Sequence, residues 1–422
     1  MVPIEELERF NPWWRKGGVP PAWTKEYRRK LFFSIERSID RRQIILVRGL
    51  RRVGKTTLMM QVIDRMLAVT NKKNILYFSF DDLSYGIKDV LERYQKVILH
   101  KSFEESHEPV YLFFDEIQKQ KGWENAIKTY YDLYPDLRFF ISGSASAGLK
   151  KRSTESLAGR ILDFTLKPLL FEEFLELNGR KTDEIKKDPD LWKRDILPLF
   201  YRYLKYGMFP ELAQETDEEF AKKYLKDTII ERVIYRDLPE EFGIKDVELL
   251  KNIIALVGKH PGMIVKYSEI SKNLGRDQRT VANYFEYLEY GLLLHFVYNY
   301  RGSALASMRK LKKVYLSTPN LAFALNENLD RVLPFMLENL VASQTGAGFF
   351  YRNGFEVDFI TETEDGLSAI EVKTGKNDVK QLKKFIGKFG HKKIDACVLN
   401  AEGEGENDGV RIIPVWKFLL GV

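Results

Sequence analysis

Cysteine is almost missing from this chain: Cys397 is the single one among 422 residues. One thiol cannot close an internal disulfide, so a disulfide-stapled fold is excluded and a reducing, cytoplasmic setting is expected. Long apolar runs are missing too, and none approaches the length of a membrane-spanning helix. The start, Met1-Val-Pro-Ile-Glu-Glu6, lacks the basic residues and apolar core of a secretory signal. No internal repeat or low-complexity tract is found, which excludes a solenoid. Nor is there a large excess of one charge: a net +7 permits a nucleic-acid partner without demanding one. The length and a hydrophobic content of 44% suit two to four domains.

The most informative stretch is Gly49-Leu50-Arg51-Arg52-Val53-Gly54-Lys55-Thr56-Thr57. It follows the apolar run Ile44-Ile45-Leu46-Val47 and precedes apolar residues at helical spacing, Leu58, Met59, Val62, Ile63, Met66 and Leu67. Strand, glycine loop and helix therefore frame a G-x-x-x-x-G-K-T loop. Glycines let the backbone turn its N–H groups into one concavity, and the helix N-terminus adds its positive end. The pattern predicts ATP held by Gly49, Arg52, Val53, Gly54, Lys55, Thr56 and Thr57. Lys55 is expected on the β- and γ-phosphates and Thr56 on Mg²⁺.

Val110-Tyr-Leu-Phe-Phe114 reads as a buried strand that delivers Asp115 and Glu116 at its C-terminal end, where doubly wound sheets keep their ligands. Asp115 is expected to hold Mg²⁺, directly or through water, and Glu116 to polarise the attacking water. Further strands are expected over 75–80, ending in Asp81-Asp82, and over 137–141, ending in Ser142-Gly-Ser144. Ser142 and Ser144 are candidates to sense the γ-phosphate or orient water. Leu157-Ala-Gly-Arg160 precedes a strand over 161–166. Arg160 is a candidate finger, in cis or from the neighbouring subunit of a homo-oligomer, with a surface salt bridge as the alternative. Trp13, Trp14 and Trp23 pack either around the adenine or as a cover on the core.

Residues 168–245 turn helical and aromatic and read as a lid. Residues 246–316 read as a winged helix-turn-helix: a helix over 247–259, a second from Ser268 stopped at Gly275, and a third N-capped by Asp277. The third turns Gln278, Arg279, Thr280 and Asn283 outward, all types that reach base edges or phosphates. Arg301-Gly302-Ser303 falls in the wing, and Arg309, Lys310, Lys312 and Lys313 form a basic cluster suited to DNA backbone. A winged helix used for protein packing is the alternative.

A second chemical centre lies at 355–373. Strands 355–360 and 367–373 flank Glu364-Asp365-Gly366, and period two puts Glu356 and Asp358 on one face and Glu371 and Lys373 on one face. Closing the hairpin at Glu364-Asp365 sets Asp358 opposite Glu371; closing it one residue later sets Asp358 opposite Lys373. Two close carboxylates invite a cation, Mg²⁺ or Mn²⁺, and a lysine beside them can activate water or stabilise a pentavalent phosphate. A solvated face with a Glu–Lys pair is the alternative.

Asp358…Glu371-x-Lys373 resembles the core of the PD-(D/E)XK nuclease superfamily. That resemblance implies a helix before the hairpin, over 335–343, with Glu338 an additional metal ligand, and one after it, over 379–388, with Gln381 and Phe385. The proline that precedes the aspartate in many members is absent. The order of parts is similar to a group of archaeal and bacterial predicted AAA+ ATPases. Asn11-Pro-Trp-Trp14, the glycine loop, Leu157-Ala-Gly-Arg160, Tyr206-Gly-Met-Phe-Pro210 and Glu356-Val-Asp358 carry that resemblance. It implies an α/β chain: a P-loop AAA+ core with a parallel sheet (1–167), a helical lid (168–245), a winged helix (246–316) and a restriction-endonuclease-like domain (317–422). The expected function is ATP-driven DNA processing with metal-dependent cleavage by Asp358, Glu371 and Lys373. The alternative is an ATP-dependent switch or scaffold with a non-catalytic nuclease-like domain.

Overall fold

The computed structural model describes residues 2–81, 85–143, 157–301 and 311–422. The chain divides into two compact units, Met1–Lys167 and Pro168–Val422. The expected lid, winged helix and nuclease-like segment together make up the second unit.

The first unit is built on five parallel strands in the order β2-β3-β4-β1-β5. They are β1 (Ile44–Arg48), β2 (Ile75–Ser79), β3 (Val110–Asp115), β4 (Leu137–Gly143) and β5 (Ile161–Thr165). Helices shield both faces, so β3 is buried along its whole length, and its run of apolar residues follows from that. The helix Lys55–Leu67 leaves β1 through the glycine loop, while β3 ends level with Ser79 of β2. Loop and carboxylates thus meet at the C-terminal edge of the sheet.

Edge strand β2 is covered by the N-terminal segment. Asn11 pairs with it as a strand would: its amide donates to the Tyr77 carbonyl at 2.8 Å and its carbonyl accepts from the Tyr77 N–H at 2.6 Å. The indoles of Trp13 and Trp14 both donate to the Ile75 carbonyl, at 3.2 and 2.9 Å. This blunts an otherwise unpaired sheet edge. Of the two readings of these tryptophans, the cover on the core holds for Trp13 and Trp14.

The second unit contains a nine-stranded mixed sheet, β13-β14-β12-β11-β10-β9-β7-β8-β6. In chain order these are β6 (Met263–Ile264), β7 (Leu294–Asn299), β8 (Lys312–Leu316), β9 (Phe349–Arg352), β10 (Glu356–Thr363), β11 (Gly366–Lys373), β12 (Lys393–Asn400), β13 (Gly405–Asn407) and β14 (Val410–Pro414). Parallel pairing of β7 with β9 joins the two expected C-terminal domains into one sheet, which is why no boundary falls near 316. Helices Val247–Lys259, Tyr267–Leu274 and Gln278–Tyr290 precede β7; Gly275 takes the left-handed cap at φ 61° and Asp277 caps the third through the Thr280 N–H. The pairs Thr363↔Gly366 and Phe359↔Ile370 close the hairpin at Glu364-Asp365, the first of the two closures expected, and a bulge in β10 lies between Val357 and Ile360, at Asp358. Helix Lys380–Phe389 packs Leu382 and Phe385 onto the apolar face formed by Val357, Ile360, Leu367 and Ala369. The opposite face of the hairpin meets the helix Leu329–Thr345, longer than expected because the apolar spacing starts earlier, at Val332.

Candidate functional site

At the C-terminal edge of the first sheet, the glycine loop has the backbone its sequence requires. Gly54 is left-handed at φ 97° and starts the helix at Lys55. A side chain at Gly49 would meet the Leu166 carbonyl at 2.5 Å, so only glycine fits there. Lys55 is buried, and its ammonium donates to the carbonyls of Gly49 and Leu50 at 3.1 and 3.2 Å. Thr57 is half-buried on the new helix, and Arg52, exposed, stands at φ 66°.

Asp115 is the hub of this edge. One of its oxygens accepts from the Thr56 hydroxyl at 2.6 Å and the Tyr77 hydroxyl at 3.2 Å. The other accepts from Ser142 and from the Glu116 N–H at 3.0 Å. Burial and the neighbouring Glu116 charge push the Asp115 carboxyl up, while the serine and threonine bonds and Lys55 favour its charged form. Burial first, then Asp115, hold the Tyr77 phenol well above its usual range, so it stays a donor. Ser142 is thereby directed at Asp115. Ser144 lies outside the described residues, as does Asp82.

Glu116 follows in a left-handed conformation, φ 53°, uncommon for a residue with a side chain and a mark of local strain at working sites. Gln118 donates to its carboxylate at 2.6 Å. Arg29, also absent from the sequence reading, donates to the Val53 carbonyl at 3.1 Å and the Lys167 carbonyl at 2.9 Å, bracing the loop. The signal for Tyr77 was a polar tip in a buried strand beside β3. Arg29 and Gln118 had no comparable signal.

Arg160 requires a correction. It precedes β5 beside Ile44, at the end of the sheet away from the glycine loop, and forks onto Asp132 at 3.0 and 3.3 Å. In its own chain it is a salt-bridge arginine, because β5 runs parallel to β1 and brings only its far end to the loop.

In the second unit the structure gathers Glu338, Glu356, Asp358, Glu371 and Lys373, and adds Lys313. The Lys313 ammonium lies 2.7 Å from Glu356, 3.2 Å from Glu338 and 3.5 Å from Asp358. Tyr315 donates to Glu338 at 2.6 Å, Asp358 accepts from the Val372 N–H at 2.9 Å, and Lys373 pairs with Glu371. Lys313, read from sequence as part of a DNA-facing basic cluster, is buried at 4% exposure, because alternation along β8 turns it inward. Burial opposes its charge, but Glu338, Asp358 and Glu356 outweigh that and raise its pKa. Among the described residues no group of three or more His, Cys, Asp or Glu side chains is arranged to hold a metal ion.

Burial, then the Asp358 charge, raise Glu338 and Glu371 from the ordinary 4.5 to about 7 each. The folded chain therefore keeps protons that the unfolded chain has released. The stability this gives is complete below pH 4.5 and is lost as pH rises through about 7. We expect the thermal midpoint of the second unit to fall across that window, and Glu371→Gln to flatten the fall. An unchanged slope in Glu371→Gln would contradict the assignment.

Arg279 and Asn283 are exposed on the helix Gln278–Tyr290, as expected, together with Gln278. Thr280 is half-buried and its hydroxyl is taken by Asp277, so it does not project outward. Lys312 also departs from expectation: its ammonium lies over the Phe296 ring at 3.8 Å and the Tyr267 ring at 5.1 Å, and burial lowers its pKa. Gly302, Ser303, Arg309 and Lys310 fall outside the described residues.

Residues 41–175 match the family model of the AAA domain, which makes this part of the chain similar to AAA-type ATPase domains. Residues 197–331 match a domain of unknown function (DUF8612). Over 417 residues the chain is 27% identical to the uncharacterized protein MJ1544 of Methanocaldococcus jannaschii, covering 92% of this chain and 90% of that one. An uncharacterized protein of Haemophilus influenzae is 27% identical over 411 residues, covering 89% and 94%. The solved structure of C. elegans PCH-2 overlaps 39% of this chain and 45% of its own at 14% identity and a TM-score of 0.23, too slight to carry an argument. No helix among the described residues is long and apolar enough to cross a membrane.

Proposed function

We propose that the chain hydrolyses ATP at the edge formed by Lys55, Thr56, Asp115 and Glu116. The observation that carries this is the convergence of the Thr56 hydroxyl and the Asp115 carboxylate, 2.6 Å apart, at the N-terminus of the glycine-loop helix. A hydroxyl and a carboxylate are the oxygen donors Mg²⁺ takes, so the residues fit the ion, which supplies positive charge to the phosphates when bound. Loop N–H groups and Lys55 hold the phosphates; Lys55 must leave the carbonyls of Gly49 and Leu50 to do so. Glu116, held by Gln118, orients water and receives its proton. Steady-state ATP turnover of the wild type beside Glu116→Gln tests the assignment.

DNA is the partner proposed for the second unit, supported by Gln278, Arg279 and Asn283 exposed along one helix whose N-terminus is capped and fixed. The expected result is that Arg279→Ala lowers the slope of log K against log salt by about 1, while Lys312→Ala leaves it unchanged. An Arg279→Ala slope equal to the wild type, measured by fluorescence anisotropy, would count against a DNA role for this helix. For the C-terminal cluster, Lys313 among the carboxylates favours the reading as an ATP-dependent switch over DNA cleavage.

A further inference from the structure

We propose that Lys313 is the resident cation of the C-terminal acid cluster, standing where a metal-dependent nuclease would place a divalent ion. Its ammonium is within 3.5 Å of oxygens from Glu338, Glu356 and Asp358, and its side chain is 5% exposed. An ammonium and a divalent ion answer the same need, positive charge among crowded carboxylates, and they cannot share one space.

The lysine is not on a movable tip. Strand β8 is paired on both sides at this residue, with Val297 of β7 and Ile264 of β6. Two residues along the same face, Tyr315 donates to Glu338. Glu338 Oε1 thus accepts two donors from one strand, which hold that oxygen at the lysine. The remaining carboxylates are engaged as well: Glu356 also faces Arg352 at 3.4 Å, Asp358 accepts from the Val372 N–H at 2.9 Å, and Glu371 pairs with Lys373. With Lys313 between them, these carboxylates do not fit a catalytic Mg²⁺ or Mn²⁺. Removing the Lys313 ammonium together with its bulk would leave Glu338, Glu356 and Asp358 beside one vacated point, where a hard cation can replace the lost charge once their oxygens close on it.

The test is titration of the nucleotide-free full chain with Mn²⁺, following free Mn²⁺ by electron paramagnetic resonance. Wild type, Asp358→Asn and Glu371→Gln are expected to bind Mn²⁺ alike. Lys313→Ala is expected to gain one site, weakened at least tenfold by adding Asp358→Asn. Wild-type binding that disappears in Asp358→Asn or Glu371→Gln would overturn the proposal, and that arm needs no lysine variant to fold. A folded Lys313→Ala chain that gains no site would overturn it too. ATP turnover measured on the same preparations separates this outcome from any failure of the ATPase assignment.

Discussion

Glu116→Gln is expected to bind ATP as the wild type does and to turn it over about a hundredfold more slowly or worse. The amide keeps the size of the carboxylate but can neither accept the proton of the attacking water nor carry the charge that polarises it. Lys55→Ala should fail one step earlier. It removes a charge-assisted contact to phosphate worth about 3 kcal/mol, so ATP affinity falls about a hundredfold. Equilibrium binding of a fluorescent ATP analogue beside single-turnover hydrolysis separates the two effects. Retained turnover in Glu116→Gln would mean that another group positions the water. Gln118 gives a further handle, since its amide holds the Glu116 carboxylate at 2.6 Å.

The largest structural effect is expected at Asn320, which is fully buried in the second unit. Its amide donates to the carbonyls of Tyr203 and Leu204 at 3.0 and 2.9 Å, and its carbonyl accepts from the Met208 N–H at 2.9 Å. One side chain thus ties the Tyr206-Gly-Met-Phe-Pro210 break to the helix Pro319–Leu325. Asn320→Ala removes three buried hydrogen bonds to the backbone, worth roughly 0.5–1.5 kcal/mol each. We expect a loss of about 4 kcal/mol, which in a unit of this size lowers its melting temperature by about 10 °C. Calorimetry of the full chain reads this directly. A shift of less than about 2 °C would show that other donors and acceptors take over.

The glycine loop was legible because its function depends on local backbone: Gly54 needs a left-handed φ and Lys55 must open a helix, both written in consecutive residues. Asp115 was legible for a similar reason, as the first carboxylate after an apolar strand that ends at the ligand edge. The closure at Glu364-Asp365 was one of two that the sequence allowed, but the bulge between Val357 and Ile360 breaks strict period two and was not legible. Arg160 was left between a finger and a salt bridge, and the parallel pairing of β5 with β1 puts it with Asp132, the second of these, within its own chain. Lys313 was misread because five residues of a short strand, KKVYL, do not say which of two lysines turns inward.

What the sequence by itself determined is the set of local devices: the phosphate loop, the carboxylates after β3, the capped helix at Asp277 and the closure of the β10–β11 hairpin. Each arises from interactions within a few residues, where backbone sterics and side-chain periodicity decide. Only the tertiary structure decided the company those devices keep. It brought Tyr77 and Ser142 onto Asp115, sent Arg160 to the far edge, and joined β7 to β9 so that β8 carries Lys313 into the acid cluster. Pairing between distant strands sets those neighbours, and a buried charge takes whichever partner that pairing supplies.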